Sequence, residues 1–524
     1  MGGPSYDIKD PILQLKVAAS SCFFGEPDYY HTGGDTSLRI SGHRSSHYQY
    51  LAETLGEFEP SNWADSTTSI MESSIDAALT HDAEATLKFA CELRNRGMIR
   101  TTPQIIMVRA AMHPSVKGTT LIGKYFRDII KRADEPSTQL AYYLSQIGAS
   151  KGHKKIPNSL KRAWRTYLAS CDEYTLAKYR MGSREVKTID VVNLVHPTRT
   201  GPINALMTDS LRTTDKTWES IVSSAGSNPA SKKAAWTESI DVMGHMALLR
   251  NIRNMTQAGI DPSAYVGKLI GTAKYGKQLP FRYFTAYENT KGSAPQVLDA
   301  IEECLEISVD NLPRFPGKVM SLCDNSGSAH SCNVSSMSQT TVSQIGNLSG
   351  ILTGRAAEEG YVGIFGDGFK TMPVRKKESI LEMTRKAGKM GSAIGQGTEH
   401  GAWMFWDQAI KTKEHWDYVF MYSDMQAGHG GLYGNSDVSN DVVWTGGSGR
   451  AGGYGRSRYI DIPKLVSRYR SDVNPDVQVF LVQTAGYKDT LFPEYFDKTY
   501  IMGGWSSSII QFAAEMSGLT GPQQ

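Results

Sequence analysis

Five oxygen-bearing side chains in the C-terminal part of the sequence have the types and positions to hold a metal ion. The apolar run KVMSLC leads directly into Asp324, Ser326 and Ser328. Thr398 lies in the loop GQGTEHG, and Asp424 follows the apolar run YVFMYS. In an open α/β sheet, ligands bind at the carboxyl ends of the strands. Because carboxylate and hydroxyl oxygens are hard donors, the set predicts a site for Mg²⁺ or another divalent cation.

A simpler interpretation of the first motif is structural. Asp324 and Ser326 could serve only to cap a helix that follows them. Chemistry on a substrate is not predicted in either case. A haloacid-dehalogenase phosphatase would carry a second Asp where this chain has Ser326. A single metal site also lacks the paired carboxylates of two-metal phosphodiester chemistry. We therefore expect a protein that is not an enzyme, and a nuclease is the least favoured function.

Charge is distributed unevenly along the chain. The net charge of the 524 residues is only +3. The first 90 residues carry 13 acidic and 5 basic residues, whereas residues 91–187 carry 19 Lys and Arg against 7 Asp and Glu, a net of +12. Such asymmetry favours a polyanionic partner, and nucleic acid in particular, although solvated helix faces can also be basic.

The basic section contains several groups of cations that could contact phosphates. Lys and Arg neutralise phosphates and release counterions, which gives salt-sensitive and sequence-tolerant affinity. Aromatic residues between them could stack on bases, although for each one taken alone a core position in a helical pair is favoured. These aromatic residues are Trp164, Tyr167, Tyr174 and Tyr179. The candidate cations are Lys124, Arg127 and Lys131 in GKYFRDIIKR, Lys161, Arg162 and Arg165 in KKIPNSLKRAWRTY, and then Lys178, Arg180 and Arg184.

The elements that must position these residues fall into two kinds. From about Asp10 to Ser308, apolar residues recur at three- and four-residue spacing, as in MGHMALLRNIRNM, with breaks at X-Pro pairs. This pattern is typical of short amphipathic helices, and a stack of helical pairs, an α-solenoid, is the architecture that they favour.

The pattern changes after Pro313. Short apolar runs alternate with helix-like segments, which predicts a doubly wound parallel sheet. We therefore expect an α + α/β chain with two domains, residues 1–310 and 311–524. The predicted strands are Lys318–Cys323, Tyr361–Phe365, Tyr418–Tyr422 and Val477–Thr484, and the predicted helices lie around Lys377–Gly388, Ala402–Thr412 and Ile462–Tyr469.

The composition also restricts the compartment. The longest apolar runs are far too short to cross a bilayer, and the first residues show no secretion signal. The six cysteines form no CxxC pair, which favours reduced thiols over a zinc site. We expect a cytoplasmic protein without a membrane partner.

Several motifs together resemble a known family. FFGEPDYY, IDVVNLVHPT, ALLRNIRNM and PFRYFTAYENTKG are similar to motifs of the TROVE domain of Ro-type RNA-binding proteins. The order DxSxS, Thr, Asp resembles the metal-ion-dependent adhesion site (MIDAS) of von Willebrand factor A domains. The resemblance implies a monomeric ring of HEAT-like helical repeats, followed by a Rossmann-like von Willebrand factor A domain.

The same resemblance implies a function and partners. In Ro proteins, single-stranded RNA 3′ ends enter the ring, and small structured Y RNAs bind a basic outer surface. Lys178, Arg184 and His196 match the Y RNA-binding stretch of the family. The implied role is RNA quality control or degradation with a 3′–5′ exoribonuclease, polynucleotide phosphorylase, tethered through the RNA. The alternative is a metal-dependent protein-binding scaffold for which RNA is incidental.

Overall fold

The computed structural model describes most of the chain. The described residues are 10–20, 67–147, 155–181, 184–211, 217–276, 278, 280–310, 312–331, 333, 340–395, 401–423, 443–445, 458–460, 462–484, 498–504 and 507–519. They divide into two compact units, one within Lys9–Ser224 and the other containing Ala225–Gln524.

In the described residues of Lys9–Ser224, every element of secondary structure is a helix. Proline and capping residues set the helix starts, as where Asp82 accepts a hydrogen bond from the backbone N–H of Ala85. The helices are α1 (Pro11–Ser20), α2 (Thr67–His81), α3 (Ala83–Asn95), α4 (Thr102–Met112), α5 (Leu121–Ile129), α6 (Glu135–Ile147), α7 (Asn158–Ala169), α8 (Glu173–Lys178), α9 (Thr188–Val195), α10 (Gly201–Met207) and α11 (Trp218–Ser224).

Each of several helices in this unit packs on the helix two positions further along the chain, as well as on the helix that follows it directly. Helix α3 packs on α5, α5 packs on α7, and α7 packs on α9. One apolar core extends from Leu15 to Leu211. The expectation of short helices packed on one another is met here.

Among the described residues, the second unit has five α-helices before its first strand. They are α12 (Pro229–Val242), α13 (His245–Gln257), α14 (Val266–Ala273), α15 (Pro280–Asn289) and α16 (Pro295–Val309). Helix α13 is the predicted amphipathic segment, and it buries Leu248, Leu249, Ile252 and Met255.

A six-stranded mixed sheet follows in the same unit, with strand order β3-β2-β1-β4-β7-β8. All neighbouring pairs are parallel except β2 and β3. This is the strand order of doubly wound sheets, with one antiparallel edge. The strands are β1 (Phe315–Asp324), β2 (Ala357–Phe365), β3 (Phe369–Pro373), β4 (Tyr418–Ser423), β7 (Gln478–Gln483) and β8 (Thr499–Gly503), with a separate antiparallel pair β5 (Val443–Thr445) and β6 (Arg458–Ile460).

The predicted alternation of strands and helices is confirmed. The four strands expected from the sequence are β1, β2, β4 and β7. The helices of this part are α17 (Gly327–Ser331), α18 (Val342–Ala356), α19 (Ile380–Ile394), α20 (Gly401–Thr412), α21 (Ile462–Asp472) and α22 (Ser507–Met516).

Helix α16 is tied to the sheet part through charged residues. The Arg355 guanidinium donates to the Glu306 carboxylate and to the carbonyl oxygens of Arg375 and Glu378. Glu306 also accepts from the backbone N–H of Ile380 at 3.0 Å, at the start of α19. These contacts give a physical reason why α16 belongs to the same compact unit as the sheet.

The boundary expected near residue 310 marks a change in the type of structure. Helix ends at Val309 and strand begins at Phe315. The compact units, however, divide between residues 224 and 225, so a domain boundary at 310 stays a prediction.

Within the described residues, no helix combines the length and apolar character needed to cross a membrane.

Candidate metal site and nucleic-acid interface

Asp324 ends the central strand β1 and is only 1% exposed. Its Oδ1 accepts a hydrogen bond from the backbone N–H of Ser326 at 2.9 Å, and its Oδ2 accepts one from the Ser423 hydroxyl at 2.6 Å. Ser423 ends the neighbouring parallel strand β4. The buried carboxylate is therefore held at the carboxyl edge of the sheet, where the sequence placed it.

The two serines of the DxSxS motif lie beside this carboxylate. The hydroxyl oxygens of Ser326 and Ser328 are 3.1 Å apart. Ser326 Oγ is also 3.5 Å from the backbone nitrogen of Ala329, so the serine has a capping position on α17 as well. Thr398 and Asp424 lie outside the described residues. Among the residues that are described, three of the five predicted ligands thus come together.

This donor set suits a hard cation rather than a soft one. It consists of one carboxylate and two hydroxyls, which favour Mg²⁺ or Ca²⁺ over zinc. In the described parts of the chain, no group of three or more His, Cys, Asp and Glu side chains converges.

The sequence analysis did not identify the residues whose hydrogen bonds hold the carboxyl edge of the sheet around Asp324 in place. Thr484 follows β7, and its N–H and hydroxyl both donate to the carbonyl oxygen of Ser423. Asn325 and Asn347 exchange two hydrogen bonds through their amides, at 2.9 and 3.0 Å, which ties the loop after β1 to α18. Ser423 and Thr484 could have been found as the polar residues at the ends of apolar runs.

The cations of α7 lie on its outer side. Leu160, Ala163, Trp164 and Leu168 are buried, whereas Arg162 is exposed and Lys161 is half-buried. Trp164 is fully buried and donates to Gln139, so it is a core residue and no stacking surface. Neither Lys161 nor Arg162 forms an ion pair with another described residue.

Arg165 and His196 are brought together although they are 31 positions apart. The Arg165 Nε donates to the carbonyl oxygen of Val195 at 2.6 Å, at the end of α9. His196 is the next residue, and it caps α9 with φ of 48° in the left-handed region. Its imidazole is exposed. The end of α9, next to His196, therefore lies against the cation-bearing helix α7.

Aromatic rings accompany the cations at the end of α8. The Lys178 ammonium donates to the Tyr174 hydroxyl at 3.2 Å, and this bond raises the pKa of Lys178. Arg132 lies over the Tyr179 ring at 4.2 Å from its centroid. Tyr174 is 45% exposed, which leaves ring surface available for stacking.

Three of the predicted cations are engaged by carboxylates. Lys124 donates to Glu84 at 2.6 Å and lowers the pKa of that acid to about 2. Lys131 lies 3.5 Å from Asp128, and Arg180 lies 3.6 Å from Asp209. Arg127 and Arg184 are exposed, and neither forms an ion pair within the described residues. The surface of α7, α8 and α9 therefore offers more uncompensated positive charge than α5 does.

Comparisons with known proteins add one structural match. No family model matches the sequence, and no curated protein matches it. The crystal structure of the Ro (Rsr) protein of Deinococcus radiodurans matches with a TM-score of 0.58 and 14% sequence identity. The match covers 84% of this chain and 93% of that one. The chain thus has the fold of the Ro protein of Deinococcus radiodurans.

Proposed function

We propose that this chain is a non-catalytic RNA-binding protein of the Ro type. The observation that carries the proposal is the surface of α7, α8 and α9. It combines exposed cations with the half-exposed ring of Tyr174. The shared fold with a Ro protein supports the same conclusion. Phosphate neutralisation by Lys and Arg would supply affinity for RNA without requiring a fixed sequence.

Individual residues have distinct parts in this proposal. The residues that contact phosphates are Lys161, Arg162, Lys178 and Arg184, because none of them forms an ion pair with a described carboxylate. Arg165 holds α7 against the end of α9 and so positions His196. Tyr174 provides a face on which an unpaired base stacks.

The finer roles are part of the same proposal. A small structured RNA of the Y type binds this basic surface, and single-stranded 3′ ends bind a ring built from the helical repeats. The protein acts in the cytoplasm with a 3′–5′ exoribonuclease that is tethered through the RNA. The α/β part is a von Willebrand factor A-like domain.

A salt titration tests RNA binding by the intact chain. We expect the logarithm of the affinity for a structured RNA with a single-stranded 3′ end to fall linearly with the logarithm of salt concentration. The expected slope is about −0.7 to −0.9 per phosphate contacted. Fluorescence anisotropy at four salt concentrations measures it. The metal-dependent scaffold would be favoured instead by two results together. The chain would not bind RNA even in dilute buffer, and it would bind a protein partner only when no chelator is present.

We further propose that Asp324, Ser326 and Ser328 hold a divalent cation, with Thr398 and Asp424 completing the site. The fit rests on the buried carboxylate and on the two hydroxyls 3.1 Å apart. A bound cation would supply an open coordination position for a partner's carboxylate or for water. No bond-breaking step is assigned to it.

The variant Asp324→Asn is expected to abolish stabilisation by Mg²⁺. The amide keeps the shape of the carboxylate and can still accept from the Ser326 N–H, but it loses the charge that attracts the cation. For the unchanged chain, Mg²⁺ at 100 times its dissociation constant should add about 2.7 kcal/mol of stability. Thermal unfolding with and without Mg²⁺ measures the difference.

Glu359→Ala is the matched control, because it removes an exposed carboxylate from β2 of the same sheet. This control should keep the response to Mg²⁺. RNA affinity should change less than about twofold in both variants. If Asp324→Asn still responds fully to Mg²⁺, the assigned metal site is wrong.

A further inference from the structure

A groove that the proposed function leaves unused runs along α19 inside the second compact unit. It has a wide part with a volume of about 560 Å³ and a narrow part of about 170 Å³. The two parts share Gln344, Asn347 and Gly388 among their lining residues, so they adjoin each other. The wide part alone falls within the range of about 300 to 1,000 Å³ that is usual for sites of small ligands.

Gly388 lies where the two parts adjoin, in the interior of α19. Glycine is unfavourable inside a helix, because it loses more backbone freedom on folding than alanine does. The fold does not require it here, since an added Cβ atom would meet no described atom within 4 Å. Gly391 is different, because a Cβ atom there would collide with the Asn325 side chain. The missing side chain of Gly388 therefore keeps open a space that no described residue uses.

The wide part offers hydrogen-bond donors and lacks carboxylates. None of its described lining residues is Asp or Glu. Lys389 is exposed and forms no ion pair within the described part of the chain. Gln344 Oε1 accepts from the backbone N–H of Thr341 at 3.0 Å, which leaves the NH₂ group of the same amide as a donor. A lining with donors and without acids favours an anion.

The narrow part adds apolar surface to the groove. Phe284 of α15 and Leu381 of α19 line it, and they are only 5% and 3% exposed. Tyr287 lies beside them and is half-buried. Glu288 is the one carboxylate among the described lining residues, and the Lys291 ammonium compensates its charge at 2.6 Å. An apolar or aromatic group of a ligand could therefore bury its surface here.

We propose that this groove binds a small organic phosphate. It is here called the Gly388 groove, and the residues that define it are Phe284, Gln344, Leu381, Gly388 and Lys389. The phosphate lies in the wide part, where Lys389 and the Gln344 amide donate to its oxygens. The apolar body of the ligand lies against Phe284 and Leu381. A phosphate matches donors from two helices better than a carboxylate does, because it has three acceptor oxygens.

Phenyl phosphate is a suitable probe, because it combines one phosphate with one aromatic ring. Saturation-transfer difference NMR on the full chain measures its dissociation constant. The buffer contains chelator, so that no divalent cation at Asp324 can bind the phosphate instead. We expect phenyl phosphate to bind about 10-fold more tightly than inorganic phosphate, since burial of the ring adds apolar area.

Gly388→Leu tests the position of the ligand, because it places a side chain where the two parts adjoin. We expect this variant to lose phenyl phosphate binding and to unfold no earlier than the unchanged chain, since leucine favours helix. Gly271→Leu is the matched control. Gly271 is also a helix residue of this unit with open space around it, and it lines neither part. The control should bind the probe as the unchanged chain does.

Lys389→Ala tests the charge of the ligand. We expect it to weaken phenyl phosphate binding about 10-fold, the lower end of the effect of a charge-assisted hydrogen bond. Lys386→Ala is its control, because Lys386 pairs with Glu378 and does not line the groove. Affinity should be unchanged in this control.

The result does not depend on the proposed RNA surface. A chain in which Lys161, Arg162 and Lys178 are all alanine should bind phenyl phosphate unchanged. Absence of probe binding in the unchanged chain, or full binding by Gly388→Leu, would refute the groove as the site. Equal or tighter binding of phenylacetate would overturn the assignment to phosphates. RNA binding is measured separately by the salt titration, so either proposal can fail alone.

Discussion

Replacing Lys161, Arg162 and Lys178 together by alanine is expected to weaken binding of a structured RNA roughly 100-fold at about 0.1 M salt. Each phosphate contact contributes about 0.7 to the salt exponent, which corresponds to a factor of about five at this concentration. Three lost contacts should also reduce the salt slope by about 2. Anisotropy titrations at several salt concentrations measure both quantities.

The control for this variant removes the same charge from another part of the chain. Lys370, Lys377 and Lys411 are exposed residues of the sheet unit, and changing all three to alanine should leave the salt slope unchanged. His196 is omitted from the test variant, because alanine at φ of 48° would strain the backbone. Equal losses in the two triple variants would mean that net charge alone, rather than the surface of α7 and α8, governs binding.

Gly360→Ala is expected to lower the free energy of unfolding by about 3 kcal/mol, the upper part of the range for overpacked cores. Gly360 lies on β2, and a Cβ atom there would come 2.2 Å from the carbonyl oxygen of Gly354 and 2.5 Å from its Cα. Backbone atoms cannot rotate aside as a side chain can. Helix α18 would have to separate from the strand that follows it directly.

Gly388→Ala provides the comparison, since a Cβ atom on this α19 residue would meet nothing within 4 Å. It should leave stability unchanged or raise it by up to about 1 kcal/mol, because alanine favours helix. Urea unfolding followed by tryptophan fluorescence measures both variants. Similar stabilities for the two would show that α18 and β2 can move apart at little cost.

The sheet could be predicted from the sequence to the extent that its strands are buried. Strands β1, β2, β4 and β7 each contain a mostly apolar run, which is typical of buried parallel strands. Strand β3 reads FKTMP, and most of its residues are exposed at the sheet edge. It carries no such run, so periodicity could not reveal it. Strand β8, TYIMG, is equally short but mostly buried. Its apolar run of three residues is too short for periodicity to distinguish a strand from a helical turn.

The candidate sites divide in a similar way. Asp324 was placed correctly because a strand end can be read from the sequence. Its hydrogen bond from Ser423 depends on the register of β1 and β4, which pairs Cys323 with Tyr422. Register is a long-range property that no local spacing encodes. Likewise, the packing of Arg165 against Val195 depends on how α7 meets α9.

The burial of Trp164 could be predicted from the spacing of its neighbours, although a tryptophan by itself could also stack on a base. Leu160, Ala163, Trp164 and Leu168 follow the spacing of one helix face. That face is the core, so a buried tryptophan was the expected outcome. The division of compact units at residue 224 had no such signal, because amphipathic helices continue on both sides of it.

The antiparallel strand β3 has a consequence for how copies of the protein meet at high concentration. It is one outer strand of the sheet, and it carries the exposed residues Lys370 and Pro373. Proline offers no N–H to an incoming strand, and a lysine would have to be desolvated beside it. This side of the sheet therefore resists growth by strand addition and is protected against aggregation into fibres.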